Sequence, residues 1–155
     1  MEIQFVKYTE EFLHYSSKWL SDPEIKRLTM TPDIDKSIQL AWFKNLETRT
    51  DYFIKGVMVE EMPIGAVGIK YIDFEKGEGE YWGYIGNKNF IGKGIGKYMV
   101  SQMCLESKKM GLKKLVLHVA EYNVRAYQLY IQQGFNLISK NNGIFKMEKI
   151  LEEGI

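Results

Sequence analysis

Three glycines spaced two apart, Gly92, Gly94 and Gly96, alternate with Lys93, Ile95 and Lys97 at the end of the run EYWGYIGNKNFIGKGIGK (Glu80–Lys97). A backbone without Cβ atoms lets a ligand approach closely. A helix opening here leaves its first four N–H groups unpaired at the positive end of its dipole. With two lysines adding full charge, the stretch has the makings of a pyrophosphate cradle. Two familiar phosphate motifs do not match. A P-loop needs Gly-x-x-x-x-Gly-Lys-Ser/Thr, but Asn87 stands five before Gly92, and no Lys-Ser or Lys-Thr follows the glycines. A dinucleotide fingerprint needs Gly-x-Gly-x-x-Gly after an early strand, whereas this Gly-x-Gly-x-Gly comes late in the chain.

Such a loop works only between a strand and a helix, and both are legible. Tyr81, Trp82, Tyr84 and Ile85 favour a strand before it. After it, an amphipathic helix from Gly94 or Ile95 to Met110 is closed by Gly111. Downstream, the pattern predicts a strand at Lys114–Val119, a helix at Asn123–Gln133, and strands near Phe135–Lys140 and Gly143–Lys149 joined by Asn141–Asn142–Gly143. Upstream, residues 2–7 alternate as a strand, and Glu10–Leu20 reads as a helix that Asp22–Pro23 stops. Ile25–Thr31 is a short irregular or helical piece before Pro32. A helix capped by Asp35 or Ser37 runs to Glu47, with Ile38, Trp42, Phe43 and Leu46 as its inward stripe. Strands Tyr52–Glu60 and Ile64–Asp73 form a hairpin through Glu61–Met62–Pro63, and Lys76–Gly79 turns into the strand before the glycine loop. Strands first and strand–helix units later predict a mixed α/β (α+β) sheet with helices on both faces. With no repeat, linker or low-complexity tract, residues 1–155 are expected to form one domain.

Two segments in this order carry a resemblance. Ile-Gly-Lys-Gly-Ile-Gly at 91–96, followed by Asn123, Ala126, Tyr130, Gly134 and Phe135 within NVRAYQLYIQQGF, resembles the C-terminal half of the GCN5-related N-acetyltransferases (GNAT). Ile91 departs from the family's usual Gln or Arg. Branches that acetylate ribosomal-protein N-termini and some sugar-modifying ones carry an apolar or aromatic residue there, and WGYIGNKNF also looks like their fourth strand. The likeness is specific over roughly 80–135 and weak elsewhere. It implies a central, mostly antiparallel twisted sheet of about seven strands flanked by four helices.

The resemblance also implies a chemistry. Acetyl-CoA would be the cosubstrate and no metal would be needed. Pantetheine would lie along Tyr84, Ile85 and Gly86, and the pyrophosphate on the amides of Gly92, Lys93, Gly94, Ile95, Gly96 and Lys97. Asn123 matches the family's cofactor-binding asparagine, and as an Asn after a strand it would also serve as a helix N-cap. Tyr130 matches the tyrosine near the thioester sulfur, where a phenol can protonate a leaving thiolate at neutral pH. It could equally be a core tyrosine on the inner face of its helix. For the general base two residues compete. Alternation puts Glu78, Glu80 and Trp82 on one face of their strand and Tyr81 and Gly83 on the other. The family often uses a carboxylate on this strand, which makes Glu80 a candidate, although in the ribosomal-protein branches the acid aligns with Tyr81. His118 lies in the strand before Asn123, where several family members carry a base-like Glu, and imidazole suits neutral pH. An isolated histidine in an apolar strand also packs readily as a structural residue. Arg27, Met30, Trp42 and Phe43 fall in the helical pair that lines the family's acceptor site, and each is equally ordinary packing.

The reaction expected is direct acetyl transfer to a primary amine in a ternary complex. The acceptor is expected to be a small molecule such as an aminosugar nucleotide, with a peptide or ribosomal-protein N-terminus as the alternative. A non-catalytic acyl-CoA sensor is the reading from another class, and intact Asn123 and Tyr130 argue against it. A net charge of +1 over 155 residues argues against nucleic acid or an anionic membrane as partner, and Lys88, Lys93 and Lys97 are too few to change that. The lone Cys104 sits in an apolar helical run, suited to a buried inert thiol, and no His/Cys spacing suggests zinc. MEIQFVKYTEEF lacks the apolar core of a signal peptide, and no uncharged run spans a bilayer, so the cytoplasm is the expected compartment. The edge of the final hairpin offers a surface for a homodimer.

Overall fold

The computed structural model describes residues 1–151. Its elements in chain order are β1 (Ile3–Lys7), α1 (Glu10–Ser21), α2 (Pro23–Leu28), α3 (Lys36–Asn45), β2 (Phe53–Val59), β3 (Met62–Asp73), β4 (Glu78–Ile85), α4 (Ile95–Lys109), β5 (Lys114–Ala120), α5 (Val124–Gln132), β6 (Asn136–Asn141) and β7 (Ile144–Ile150). The seven strands form one sheet in the order β1-β2-β3-β4-β5-β7-β6. Among the described residues only the β4–β5 pair runs parallel.

Among the described residues there are five helices, one more than the four the resemblance implies, and Asp22 explains the extra one. Its carboxylate accepts the Glu24 and Ile25 N–H groups at 3.0 and 3.2 Å, with Pro23 at the first helical position. The Asp-Pro pair that stops α1 therefore also starts α2. The β2–β3 connection differs as well. It is a two-residue turn at Glu60–Glu61, both with positive φ (50° and 67°), and Met62 and Pro63 belong to β3. The right-handed twist of a hairpin favours such a tight turn even without glycine. The final hairpin turns at Asn142–Gly143 (φ 52° and 77°), where the Asn-Gly signal put it.

Alternation along the strands divides the core in two. Val67, Ile69, Tyr81, Leu115, Leu117 and Met147 face α4 and α5. On the opposite face, Tyr8, Phe12, Leu13 and Ala66 gather with Trp42, Phe43, Trp82 and Tyr84 beneath α1 and α3. That second face is an aromatic layer, and it needs close backbone approach. A Cβ on Gly86 would stand 2.0 Å from the Trp19 ring, so no larger residue fits there without displacing α1.

The β4–β5 pair positions everything that follows. Its register covers only Glu78–Glu80 against Lys114–Val116. Lys114 Nζ sits 3.6 Å from Glu78 and 3.5 Å from Glu148, tying the paired end together. Beyond Glu80 and Val116 the two strands have no pairing with each other, while β3 and β7 continue alongside them. A gap therefore opens in the middle of the sheet.

Candidate active site

The glycine loop lies at the open end of this gap. Gly94 is the residue preceding α4, with φ 81°, and nothing lies within 4 Å of where its Cβ would be. The left-handed turn favours glycine here, and the open space above it leaves room for a ligand to approach the backbone. Among the described residues no backbone N–H from Gly92 to Lys97 donates to a protein acceptor; the first helical bond is Tyr98 N–H to Gly94 O. Several amides converge unpaired at the positive end of α4, an arrangement that suits a phosphate. Of the lysines nearby, Lys93 folds over Phe90. Lys88 is held by Asp22 and Glu24 at 3.1 and 3.7 Å. Sequence reasoning missed Arg125, whose Nη1 reaches 3.3 Å from a Cβ position on Gly92.

Glu80 and His118, read from sequence as competing bases, are in contact. His118 Nδ1 lies 3.0 Å from Glu80 Oε1. The other carboxylate oxygen, Oε2, lies 3.4 Å from Lys70 Nζ. Lys70 stands directly opposite Glu80 on β3, and the Glu80 side chain is only 12% exposed. Three adjacent strands thus contribute one chain of groups, Lys70–Glu80–His118, on the face of Trp82 and Tyr84. A carboxylate on Nδ1 selects the tautomer with its proton there and leaves Nε2 as the lone-pair nitrogen. His118 is the more exposed partner.

Tyr130 occupies the other face. Its ring meets Tyr81 edge-on at 5.9 Å and Phe135 at 6.0 Å. Burial among these groups pushes its phenol up to about 12, so it stays protonated at neutral pH. Burial also raises Tyr81 and Tyr84. Tyr130 and His118 are thus on opposite sides of the sheet, with the gap between β4 and β5 as the passage between them. Asn123 caps α5 by accepting the Ala126 N–H at 3.3 Å, and its amide donates to Leu28 O at 3.3 Å. Cys104 is buried, and burial raises its thiol. Trp82 Nε1 is buried with no acceptor among the described residues, beside the Tyr52 ring at 6.3 Å.

A model of the acetyltransferase (GNAT) family matches residues 13–135. The chain belongs to this family. By class it is therefore an N-acetyltransferase, and its seven-stranded sheet is the family's fold. No curated protein matches the sequence. Among solved structures it is similar to a domain from Methanocaldococcus jannaschii, at 22% identity and TM-score 0.85, covering 97% of this chain and 99% of that one. It is similar to spermidine N-acetyltransferase from Vibrio cholerae in complex with CoA and spermine, at 18% identity and TM-score 0.86, covering 97% and 96%. The Campylobacter jejuni N-acetyltransferase PseH in complex with acetyl coenzyme A follows at 16% identity and TM-score 0.75, covering 97% and 100%. At these identities the shared property is the fold. No helix among the described residues is long and apolar enough to cross a membrane.

Proposed function

We propose that this acetyltransferase moves an acetyl group from acetyl-CoA directly to a primary amine, with both substrates bound at once, and that the acceptor is a small molecule such as an aminosugar nucleotide. The observation that carries this reading is the gap between β4 and β5, with free amides at its open end and proton-transfer groups on its two faces. The cosubstrate supplies an acyl thioester. Pantetheine would run along Tyr84, Ile85 and Gly86, where β4 has lost its pairing with β5 although the Gly86 N–H itself donates to Ile64 O at 2.7 Å, and Gly92–Lys97 offer its pyrophosphate their amides.

His118 Nε2 takes the proton that the acceptor ammonium must lose before its nitrogen can attack the thioester carbon. Glu80 holds the imidazole in the required tautomer and faces the charge it acquires, while Lys70 anchors the second carboxylate oxygen. As the C–N bond forms and the C–S bond breaks, the nitrogen's second proton passes to the departing sulfur, which leaves as the thiol, with the Tyr130 hydroxyl as the hydrogen-bond donor and proton relay to it. Holding thioester and amine together removes a large entropic barrier in itself. Lys146, opposite His118 on β7, adds a cation beside the acceptor that a nucleotide phosphate could use. Residues 1–155 would act as one catalytic unit.

Calorimetric titration with acetyl-CoA, using ATP and NAD as controls, tests the reading. Saturable binding of acetyl-CoA alone, followed by amine-dependent release of CoA, is the expected outcome. Binding of a control but not of acetyl-CoA would sink it.

A further inference from the structure

β3 does not run evenly past β4. Its register opposes Lys70 to Glu80 and then Asp73 to Glu78, which leaves Tyr71 and Ile72 together against Gly79. That is a bulge, an extra residue on one strand of the pair. Ile69 and Ile72 consequently both lie in the core beneath α4, although strict alternation would put them on opposite faces. Lys70 and Tyr71 are left side by side on the face that carries Glu80 and His118. The Tyr71 ring is 66% exposed, and Lys70 Nζ stands 5.2 Å from its centroid.

Tyr71 is strained in this place. Its φ of 51° is left-handed, a conformation that a bulky side chain rarely adopts. The bulge is held from the β2 side. The Ile72 N–H donates to Asp51 O at 3.0 Å, and the Asp51 carboxylate receives the Arg49 guanidinium at 2.9 and 3.0 Å. Burial of Ile72 accounts for the bulge but asks nothing of the residue before it, where glycine would turn without strain. An exposed tyrosine there is accounted for by Lys70. A lysine stem is long and flexible. The Lys70 ammonium lies between Glu80 Oε2 at 3.4 Å and the Tyr71 ring, so a carboxylate and a π-face confine it from two sides. At 3.4 Å the ion pair is longer than a tight charge-assisted hydrogen bond. Without the ring the ammonium is free to swing into water. Glu80 would then keep only the partner on its other oxygen, His118 Nδ1 at 3.0 Å.

We propose that Tyr71 is a positioning residue: the bulge turns its ring onto Lys70, and Lys70 so confined fixes the Glu80 carboxylate that orients His118. The proposal rests on the acetyl-transfer reading above, in which His118 takes the acceptor's proton. The strain at Tyr71 then serves a base that stands two strands away.

Tyr71→Gly separates positioning from packing, because it relieves the backbone and deletes the ring together. The urea midpoint should hold or rise, while kcat falls about three- to tenfold, the worth of a partly shielded cation–π contact. The acceptor KM and the acetyl-CoA Kd should stay within about twofold. Tyr71→Phe keeps the ring and should restore most of the kcat. In a Lys70→Met background, itself slower, Tyr71→Gly should cost no more than about 1.5-fold further, because both residues act through one contact. Full additivity, an unchanged kcat in Tyr71→Gly, or a lower urea midpoint in that variant would overturn the proposal. Two-bond ¹H–¹⁵N correlation of the neutral His118 ring reads the same chain of contacts without substrate. The wild type should show the Nδ1-protonated tautomer, and Tyr71→Gly and Lys70→Met should each add the Nε2-protonated one. A tautomer unchanged in both variants overturns the positioning role. A wild-type protein that fails to bind acetyl-CoA would instead remove the transfer reading, with the tautomer result still deciding whether Tyr71 orients His118.

Discussion

At Glu80 both carboxylate oxygens already have partners, His118 on one and Lys70 on the other. A carboxylate so engaged is better suited to orienting a base than to meeting a substrate, whereas the second ring nitrogen of His118 remains available. The consequence is an order of effects. His118→Gln should lower kcat on the order of a hundredfold or more, within the range for a lost general base. Glu80→Gln, which keeps a hydrogen-bonding group beside the ring, should lose less, roughly tenfold. Steady-state kinetics on both variants decides the assignment, and a larger loss in Glu80→Gln would move the base to that residue. Sequence placed both residues at the site but presented them as rivals. Strand alternation assigns a face within one strand and says nothing about register between strands so far apart in the chain. Lys70 was invisible for the same reason, since only the β3–β4 register puts it opposite Glu80.

Single elements were legible wherever one local signal dominated. β4, the glycine loop and α4 stand close to where spacing put them, and Asn142–Gly143 turns the last hairpin as its residue types require. Local signals failed where two of them overlapped on one residue. Asp22 ends one helix and caps the next, so Ile25–Thr31 was read as a short irregular or helical piece and the capped start of α2 at Pro23 was missed. The β2–β3 turn failed differently, because Met62 and Pro63 look like loop residues but belong to the strand. That turn holds two glutamates in left-handed conformations, each strained by about 1 kcal/mol relative to glycine. Glu61→Gly should therefore stabilise the fold by about 1 kcal/mol, seen as a higher urea midpoint with an unchanged slope. A lower midpoint would mean that the Glu61 side chain contributes contacts outweighing the strain.

Across the molecule, the titrating groups are distributed unevenly between acid and alkaline pH. Asp22, Asp35 and Asp51 sit below the usual carboxylate range, held there chiefly by hydrogen bonds from Lys88, Ser37 and Arg49 respectively. Their contribution is present above the unfolded value of about 3.9 and fades as pH falls through the lower folded one. All three are on the surface, where screening keeps the effect small. The phenols are a different case, because the aromatic layer and the α5 contact bury them. Tyr8 and Tyr130 are pushed up to about 12, and burial also raises Tyr52, Tyr81 and Tyr84. A phenol whose pKa is higher folded than unfolded favours the native state while it stays protonated. That contribution is complete below the unfolded value of about 10 and is lost as pH rises towards the folded one. At ~1.4 kcal/mol per pKa unit, Tyr8 alone withdraws roughly 2–3 kcal/mol by pH 12. Several such residues together rival the 5–15 kcal/mol that typically holds a domain folded. Urea midpoints should therefore change little from neutral pH to about 9.5 and fall steeply between about 10 and 12. The share of tyrosinate absorbance at 295 nm that belongs to these five buried phenols, half of the ten tyrosines, should rise with unfolding rather than before it. If most of that absorbance instead developed near pH 10 in protein that stayed folded, the aromatic layer would be open to solvent, and the packing of α1 and α3 over β4 would have to be looser than this fold requires.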